Sequence, residues 1–128
     1  MLQGLSTKWA GQDFRYLEVT GSTNEDCFRF LGEGAPHGVV VVAGQQLSGK
    51  GRRGRSWSSP AGDSLYMSIG LKPEVAPERA SMLTLVMALA VCRAIGDVLP
   101  EKGKHAEVGI KWPNDIVMDG RKVCGILT

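Results

Sequence analysis

The first third of the chain has the hydrophobic and polar pattern of a strand, a helix and a second strand. Residues 13–19 have strand-like composition and end at a Thr-Gly turn. Ser22, with Glu25 three positions later, has the form of a capping box, which predicts a helix over residues 23–31, ended by the glycines that follow. Residues 37–43 contain four successive valines. Such a run is typical of a strand that is buried on both faces.

The middle of the chain predicts a further strand and a long helix. Residues 64–71 alternate between apolar side chains and small or polar ones, which is the pattern of a strand with one apolar face. Pro77 and Glu78 open a helix, because proline lacks a donor that the first turn does not need and an acid favours the positive end of the helix dipole. The apolar surface of this helix is wide, so we expect it to be largely buried as the central core helix. We expect it to end at Gly96 or Pro100.

Two short strands and a tight turn complete the pattern. Residues 107–112 and 115–118 are predicted strands, and Asp119-Gly120 is a strong two-residue hairpin signal that leads into residues 122–127. Strands and helices are interspersed, and the hairpin is antiparallel. The predicted class is therefore α+β, with a mixed, largely antiparallel sheet and packed helices.

Composition and charge narrow the class of protein. The chain has 128 residues, 43% of them hydrophobic and 22% charged, with a net charge of +2; we expect one soluble domain with a real core. The start of the chain has no sustained apolar core of a signal peptide, and the most apolar stretch, residues 82–92, is about half as long as a membrane span. We therefore expect a cytoplasmic protein with no membrane partner.

The cysteines and histidines do not form a metal-binding pattern. Cys27, Cys92 and Cys124 are odd in number and widely spaced, which fits buried thiols in a reducing compartment better than disulfides. His37 and His105 are not near any of them in sequence. A zinc site is therefore not expected.

Residues 44–60 are the most informative segment, because four glycines, four cations and one tryptophan follow the valine run there. Glycines let backbone amides approach phosphate oxygens, and Arg and Lys neutralise the charge, so this loop predicts an anionic ligand. It begins like a P-loop, but Gly51 stands where Ser or Thr must hold magnesium, and no helical pattern follows. The alternative is a solvated turn or a nucleic-acid contact. Only Trp57 accompanies the charges, whereas single-strand binders interleave several aromatic residues.

A second polar group lies at residues 111–115 and just after the hairpin turn. Lys111 lies inside a short strand and Lys122 emerges from the turn, so the two lysines can converge on one anion. Asn114 and Asp115 combine an amide and a carboxylate at a strand junction, and Asp115 can orient a lysine or hold magnesium. Each piece alone also fits a plain charged hairpin.

Four motifs, taken together, resemble the catalytic domain of biotin-protein ligases, the enzymes that attach biotin to a lysine of a carboxyl-carrier domain. The resemblance extends from Ser22 to Leu127 and implies the fold shared by class II aminoacyl-tRNA synthetases and biotin-protein ligases. The family's catalytic domain continues past the Gly-Ile-Leu strand and is commonly followed by a small β-barrel domain. We therefore expect residues 1–128 to be the N-terminal part of that catalytic domain, and no helix-turn-helix precedes Ser22 to suggest a repressor. The motifs are Ser22-Thr23-Asn24, Gln46 with Gly49-Lys50-Gly51-Arg52-Arg53-Gly54-Arg55, Lys111-Trp112-Pro113-Asn114-Asp115 and Arg121-Lys122-Val123-Cys124-Gly125-Ile126-Leu127.

The resemblance implies a two-step acyl transfer. The carboxylate of biotin attacks the α-phosphate of ATP to give biotinyl-5′-AMP and pyrophosphate, and the carrier lysine then displaces AMP. Bringing two anions together requires fixed cations, and Arg52, Lys111 and Lys122 are the implied catalytic residues. Mg²⁺ is an implied cofactor, with Asp115 as its candidate ligand. The implied substrate-binding residues are Ser22, Thr23, Asn24, Gln46, Gly49, Lys50, Gly51, Arg52, Arg55, Trp57, Asn114, Lys122 and Gly125.

The expected partners are biotin, ATP and a biotin carboxyl carrier domain of a carboxylase, with a homodimer as a candidate assembly and no nucleic acid. Lys50 stands where the family usually has arginine, which keeps the charge but loses the planar fork. Two alternatives remain at this point: a lipoate or octanoyl transferase of the same fold, and a non-catalytic module that binds phosphate or nucleic acid.

Overall fold

The computed structural model describes residues 4–99 and 106–128, and the chain divides into two compact units, Met1–Pro73 and Glu74–Thr128. Within these described residues, each unit has one α-helix and one three-stranded sheet. The α+β class predicted from the sequence is confirmed. Two residues used in the predictions, Pro100 and His105, lie outside the described residues.

The first unit is a βαβ unit with an added antiparallel strand. It contains β1 (Phe14–Thr20), α1 (Thr23–Gly32), β2 (Val39–Gln46) and β3 (Tyr66–Gly70), in the sheet order β1-β2-β3. β1 and β2 are parallel, and β3 is antiparallel to β2. Because parallel strands end at the same edge of a sheet, the end of β2 lies beside the end of β1, where α1 begins.

The valine run forms the centre of this unit. Val39 and Val41 are completely buried, and they share a cluster with Cys27 of α1. Val40 points to the opposite face and is also buried, so the prediction of a strand covered on both sides is confirmed. Burial raises the pKa of the Cys27 thiol, and all three cysteines are free.

The strand predicted from alternation is β3, and its small and polar side is the one that meets α1. Tyr66 is buried, and the hydroxyl of Ser68 lies 2.9 Å from that of Thr23 in the helix. On the other side, Leu65 and Met67 are 71% and 46% exposed. Alternation therefore predicts the strand, whereas the close packing of α1 decides which side is covered.

A stack of charged and aromatic side chains joins β1 to α1. The guanidinium groups of Arg15 and Arg29 lie 4.1 and 4.3 Å from the centre of the Phe30 ring. Arg15 also forms an ion pair with Asp13 at 2.8 Å. This hydrogen-bonded pair lowers the pKa of the Asp13 carboxyl from its ordinary value.

We expect Asp13→Asn to lower the free energy of unfolding near neutral pH by at most about 1 kcal/mol, because the pair is partly solvated. A carboxyl whose pKa is depressed on folding stabilises the folded state above its unfolded-state pKa, and this contribution is lost as the pH falls through the folded-state pKa. The difference from the wild type should therefore shrink in acid, as measured by urea unfolding at several pH values. Asp63→Asn, in an exposed loop, is the control. A deficit that persists in acid would show that the carboxylate charge is not the cause.

The second unit packs one long helix on an antiparallel sheet. A short 3-10 turn, Pro77–Arg79, precedes α2 (Ser81–Val98), and the strands are β4 (Val108–Lys111), β5 (Asp115–Met118) and β6 (Arg121–Gly125). The sheet order is β4-β5-β6, and both pairs are antiparallel. Asp119 and Gly120, between β5 and β6, have φ values of 49° and 75°. The two-residue hairpin turn predicted from these residues is confirmed.

The prediction that α2 is largely buried is wrong. Ala88 is the one fully buried residue in the helix, all of which is described, and Met82 and Val86 are 59% and 63% exposed. The physical reason is the small size of the sheet. In this unit α2 packs on β4 and β5, and each of these strands has four residues. The two strands therefore cover only one stripe of an 18-residue helix. By length and composition alone, Pro77–Val98 is apolar enough to cross a bilayer, with a mean hydropathy of 1.7. Core helices of soluble proteins, which are mostly buried, pass the same test.

Candidate substrate-binding site

The start of α1 and the end of β2 form a polar cluster in the first unit. The backbone N–H of Thr23 donates to Oε1 of Gln46 at 2.8 Å, and the Thr23 hydroxyl donates to the same oxygen at 3.0 Å. Ser22 and Thr23 are buried. An amide from β2 thus satisfies an N-terminal donor of the helix, which would otherwise lack an intrahelical partner.

The capping box predicted for this helix is not formed. Ser22 occupies the N-cap position, as predicted, but its side chain makes no capping hydrogen bond. Glu25, the second member of the box, pairs instead with the ammonium group of Lys50. The cause is tertiary: the Lys50 cation attracts the Glu25 carboxylate, which in a capping box would turn back to the Ser22 N–H.

Two serines that sequence reasoning missed complete this polar cluster. Ser68 of β3 contacts the Thr23 hydroxyl at 2.9 Å and Oδ1 of Asn24 at 3.2 Å. Ser59, after the cationic loop, accepts a hydrogen bond from Nε2 of Gln46 at 3.0 Å. Four of the predicted substrate-binding residues, Ser22, Thr23, Asn24 and Gln46, are therefore brought together. The only sequence signal for the two serines was their place beside a strand or loop already singled out.

The glycine-rich loop folds back on itself as an irregular hairpin. Backbone N–H groups of Gln46, Gly51 and Trp57 donate to the carbonyls of Ser59, Arg55 and Gly49 at 3.1, 2.7 and 2.7 Å. Its tip, Arg52–Gly54, is one 3-10 turn, in which Arg53 has a φ of 58°. No α-helix follows Lys50 in this fully described segment, so the loop lacks the helix that a P-loop requires.

The hairpin presents its cations at the surface and encloses Gly49. Arg52, Arg53 and Arg55 are exposed, whereas Gly49 is buried. A Cβ atom at position 49 would lie 2.6 Å from the Trp57 carbonyl oxygen and 2.7 Å from Oγ of Ser59. Only glycine fits there without a shift of its surroundings.

Lys50 links this hairpin to α1 through Glu25. The two side chains are 54% and 56% exposed, and an exposed pair of this kind contributes at most about 1 kcal/mol. The pair therefore orients the Lys50 ammonium group. Because the pair is weak, an anionic ligand can displace the Glu25 carboxylate from Lys50 at a small cost in free energy.

An open cleft of about 420 Å³ lies along this segment. Its wall combines an amide, hydroxyls and the edge of an indole ring, so it can hold a ligand with both polar and apolar parts. The lining residues are Gln45, Gln46, Leu47, Ser56, Trp57, Ser58, Ser59 and Pro60.

The second unit brings together the residues of the other two motifs. Lys111, Asp115 and Gly125 are register partners across β4, β5 and β6. Nζ of Lys122 forms an ion pair with Oδ1 of Asp115 at 2.8 Å. Asn114 exchanges hydrogen bonds with Ile126: its Nδ2 donates to the Ile126 carbonyl at 3.1 Å, and its own carbonyl accepts from the Ile126 N–H at 2.9 Å. A cis peptide bond joins Trp112 to Pro113.

Asp115 pairs with Lys122 through one of its carboxylate oxygens. Its Oδ1 is engaged by the lysine, and a cation at that oxygen would be repelled by the ammonium group. Among residues 4–99 and 106–128, no group of three His, Cys, Asp or Glu side chains could hold a metal ion. Mg²⁺ at Asp115 stays a sequence-based prediction.

Solved structures of known proteins resemble this fold. The biotin protein ligase of Leishmania major in complex with biotinyl-5-AMP is 32% identical, with a TM-score of 0.75 over 91% of this chain and 51% of that chain. The biotin protein ligase of Aquifex aeolicus in complex with biotin and ATP is 33% identical, with a TM-score of 0.72 over 91% of this chain and 46% of that chain.

Curated relatives match nearly the whole chain. A Bacillus subtilis protein named bifunctional ligase/repressor BirA is 38% identical over 98% of this chain and 37% of its own length. A Mycobacterium tuberculosis protein named biotin–[acetyl-CoA-carboxylase] ligase is 38% identical over 92% of this chain and 46% of its own length. The chain thus spans less than half the length of these two relatives. The family model described as biotin/lipoate A/B protein ligase matches residues 16–128, and the chain belongs to that family.

Proposed function

We propose that this chain belongs to a biotin-protein ligase and takes part in the ATP-dependent attachment of biotin to a carrier-protein lysine through biotinyl-5′-AMP. One observation carries the proposal: in the first unit, a neutral cluster of amide and hydroxyl groups adjoins a cationic, glycine-rich hairpin. Biotin has a neutral polar ureido ring at one end and a carboxylate at the other. The adenylate adds a phosphate on the carboxylate side, where the hairpin cations neutralise it.

The chemistry requires charge neutralisation rather than a general base. The biotin carboxylate and the α-phosphate repel each other, and fixed cations lower the cost of their contact. Arg52 of the hairpin and the two lysines of the second unit, Lys111 and Lys122, are the proposed cations. The ion pair between Asp115 and Lys122 holds that ammonium group in one orientation before the substrates bind.

The carrier that we propose is a biotin carboxyl carrier domain. The name of the Mycobacterium tuberculosis relative, an acetyl-CoA-carboxylase ligase, supports a carboxylase as the source of the target lysine. The cytoplasmic location and the homodimer are sequence-based predictions, and we retain them as such.

The proposal is tested by incubating the chain with ATP, Mg²⁺, labelled biotin and a carrier domain. Label on the carrier lysine is the expected result. Biotin-dependent exchange of pyrophosphate into ATP isolates the first half-reaction. Transfer of labelled lipoate or octanoate instead would identify the other branch of the family. Binding to polyanions without either reaction would indicate a phosphate-binding module.

We expect Arg52→Gly to release the adenylate, because the hairpin then loses a cation that holds the phosphate. The measurement is the labelling of bystander proteins by biotin and ATP, which should rise above that of the wild type. Arg53→Gly is the matched control, since Arg53 is the neighbouring arginine and its left-handed backbone suits glycine. Equal bystander labelling by the wild type and Arg52→Gly would contradict a retention role for Arg52.

A further inference from the structure

We propose that Ser59 is a positioning residue that fixes the side-chain amide of Gln46 for recognition of the biotin head group. The inference rests on the proposed function and adds a residue to it. Ser59 is 4% exposed, and both it and Gln46 line the open cleft. Its hydroxyl is in contact with the Gln46 side chain and with the backbone of the cationic hairpin.

The direction of each hydrogen bond around Gln46 follows from one unambiguous donor. The backbone N–H of Thr23 can only donate, so the Gln46 atom that faces it at 2.8 Å is the oxygen, Oε1. Nε2 therefore faces Ser59, and the amide donates to the serine hydroxyl at 3.0 Å. The Ser59 hydroxyl hydrogen in turn points to the Trp57 carbonyl, which can only accept, at 3.3 Å.

The fixed orientation of the Gln46 side-chain amide determines which ligand group this residue recognises. Oε1 accepts two hydrogen bonds from Thr23, while Nε2 has two hydrogens and gives one of them to Ser59. The second hydrogen of Nε2 is the group that the amide offers to a ligand. Gln46 is therefore a donor to a carbonyl oxygen, which is the chemistry of the ureido oxygen of biotin.

Ser59 also connects the head-group contact to the hairpin. The backbone N–H of Gln46 donates to the Ser59 carbonyl at 3.1 Å, so the two residues are held together by both backbone and side chain. The bond from the Ser59 hydroxyl to the Trp57 carbonyl extends this link to the end of the loop. Removing the hydroxyl leaves the Gln46 amide anchored at its oxygen end only.

The test is a double-mutant cycle on biotin binding, measured by calorimetry on the wild type, Ser59→Ala, Gln46→Ala and the double variant. Losing one buried hydrogen bond of this kind should weaken biotin binding about tenfold in Ser59→Ala. Because Ser59 acts through Gln46, its substitution should have almost no further effect once Gln46 is alanine. In pyrophosphate exchange, Ser59→Ala should raise the KM for biotin and leave the KM for ATP unchanged.

Each outcome either supports or overturns the positioning role of Ser59. Ser64→Ala, an exposed serine of the same unit, is the control for the substitution itself, and thermal unfolding verifies that each variant is folded. An equal loss of affinity in the Gln46→Ala background would overturn the positioning role and indicate a general structural one. Unchanged biotin affinity in folded Ser59→Ala would overturn it as well. A wild type that neither binds biotin nor exchanges pyrophosphate would instead overturn the proposed function, and this inference with it.

Discussion

Replacing Lys122 with methionine should lower the rate of biotin-dependent pyrophosphate exchange by about 100- to 1000-fold, the cost of removing one preorganised group that stabilises transition-state charge. Methionine keeps much of the length and apolar character of the lysine stem and removes the ammonium group. The loss should fall on kcat rather than on the KM for biotin, since the charge is needed when the two anions meet.

Arg121→Met is the matched control for this variant. Arg121 is the exposed neighbour of Lys122 on β6, and it is the register partner of Met118 at the hairpin turn. Its loss should change the exchange rate only slightly. Asp115→Asn tests the ion pair separately: it keeps the shape of the side chain but removes the charge that orients Lys122, so we expect a smaller loss. A Lys122→Met variant with wild-type exchange would show that this lysine is not a catalytic cation.

Substituting alanine for Gly49 should both destabilise the first unit and weaken biotin binding. The added Cβ would overlap the Trp57 carbonyl oxygen at 2.6 Å and Oγ of Ser59 at 2.7 Å, and it would lie 3.2 Å from Nε2 of Gln46. Overpacking of this kind costs about 1–3 kcal/mol. We expect the loss in biotin affinity to exceed about tenfold, because the displaced atoms are those that hold the head-group amide. Thermal unfolding and calorimetry measure the two effects.

Gly32→Ala is the control for the glycine substitution. Gly32 is the last residue of α1, and a Cβ there would meet nothing within 4 Å. Alanine is a better helix former than glycine, so this variant should be neutral or slightly more stable, with unchanged binding. Wild-type stability and affinity in Gly49→Ala would contradict the close packing on which the prediction depends.

Elements with strong local signals could be predicted closely from the sequence. The valine run gives β2 because successive β-branched residues favour an extended chain and can be covered on both faces. Asp119 and Gly120 adopt the left-handed backbone that a two-residue hairpin requires. β5 was predicted to within its observed bounds, residues 115–118, because the tight turn fixes one of its ends.

Features that depend on distant partners could not be predicted in the same way. The capping box at Ser22 and Glu25 has the right spacing, but Lys50 engages the Glu25 carboxylate that the box would use. The burial of α2 was overestimated because apolar composition reports what a helix can cover, not how much sheet is available to cover it.

The residues of the candidate site also divide into those that local sequence signals predict and those that only contacts between distant residues reveal. The cationic loop and the two lysine motifs were visible in sequence because glycines, cations and their spacing carry chemical meaning by themselves. Ser59 and Ser68 were not visible, because an isolated serine near a strand has many ordinary explanations. Their roles emerge only from contacts of about 3 Å with side chains far along the chain.

Local pattern alone therefore determines most of the secondary structure and the family motifs, and it predicts the chemical type of ligand, since each depends on neighbouring residues and on residue type. Only the tertiary structure decides that Gln46 accepts from the first N–H of α1, that Asp115 pairs with Lys122, and which side of β3 is buried. The physical reason is that hydrogen bonds, ion pairs and close packing act over a few ångströms in space, and the fold alone determines which distant residues come within that range.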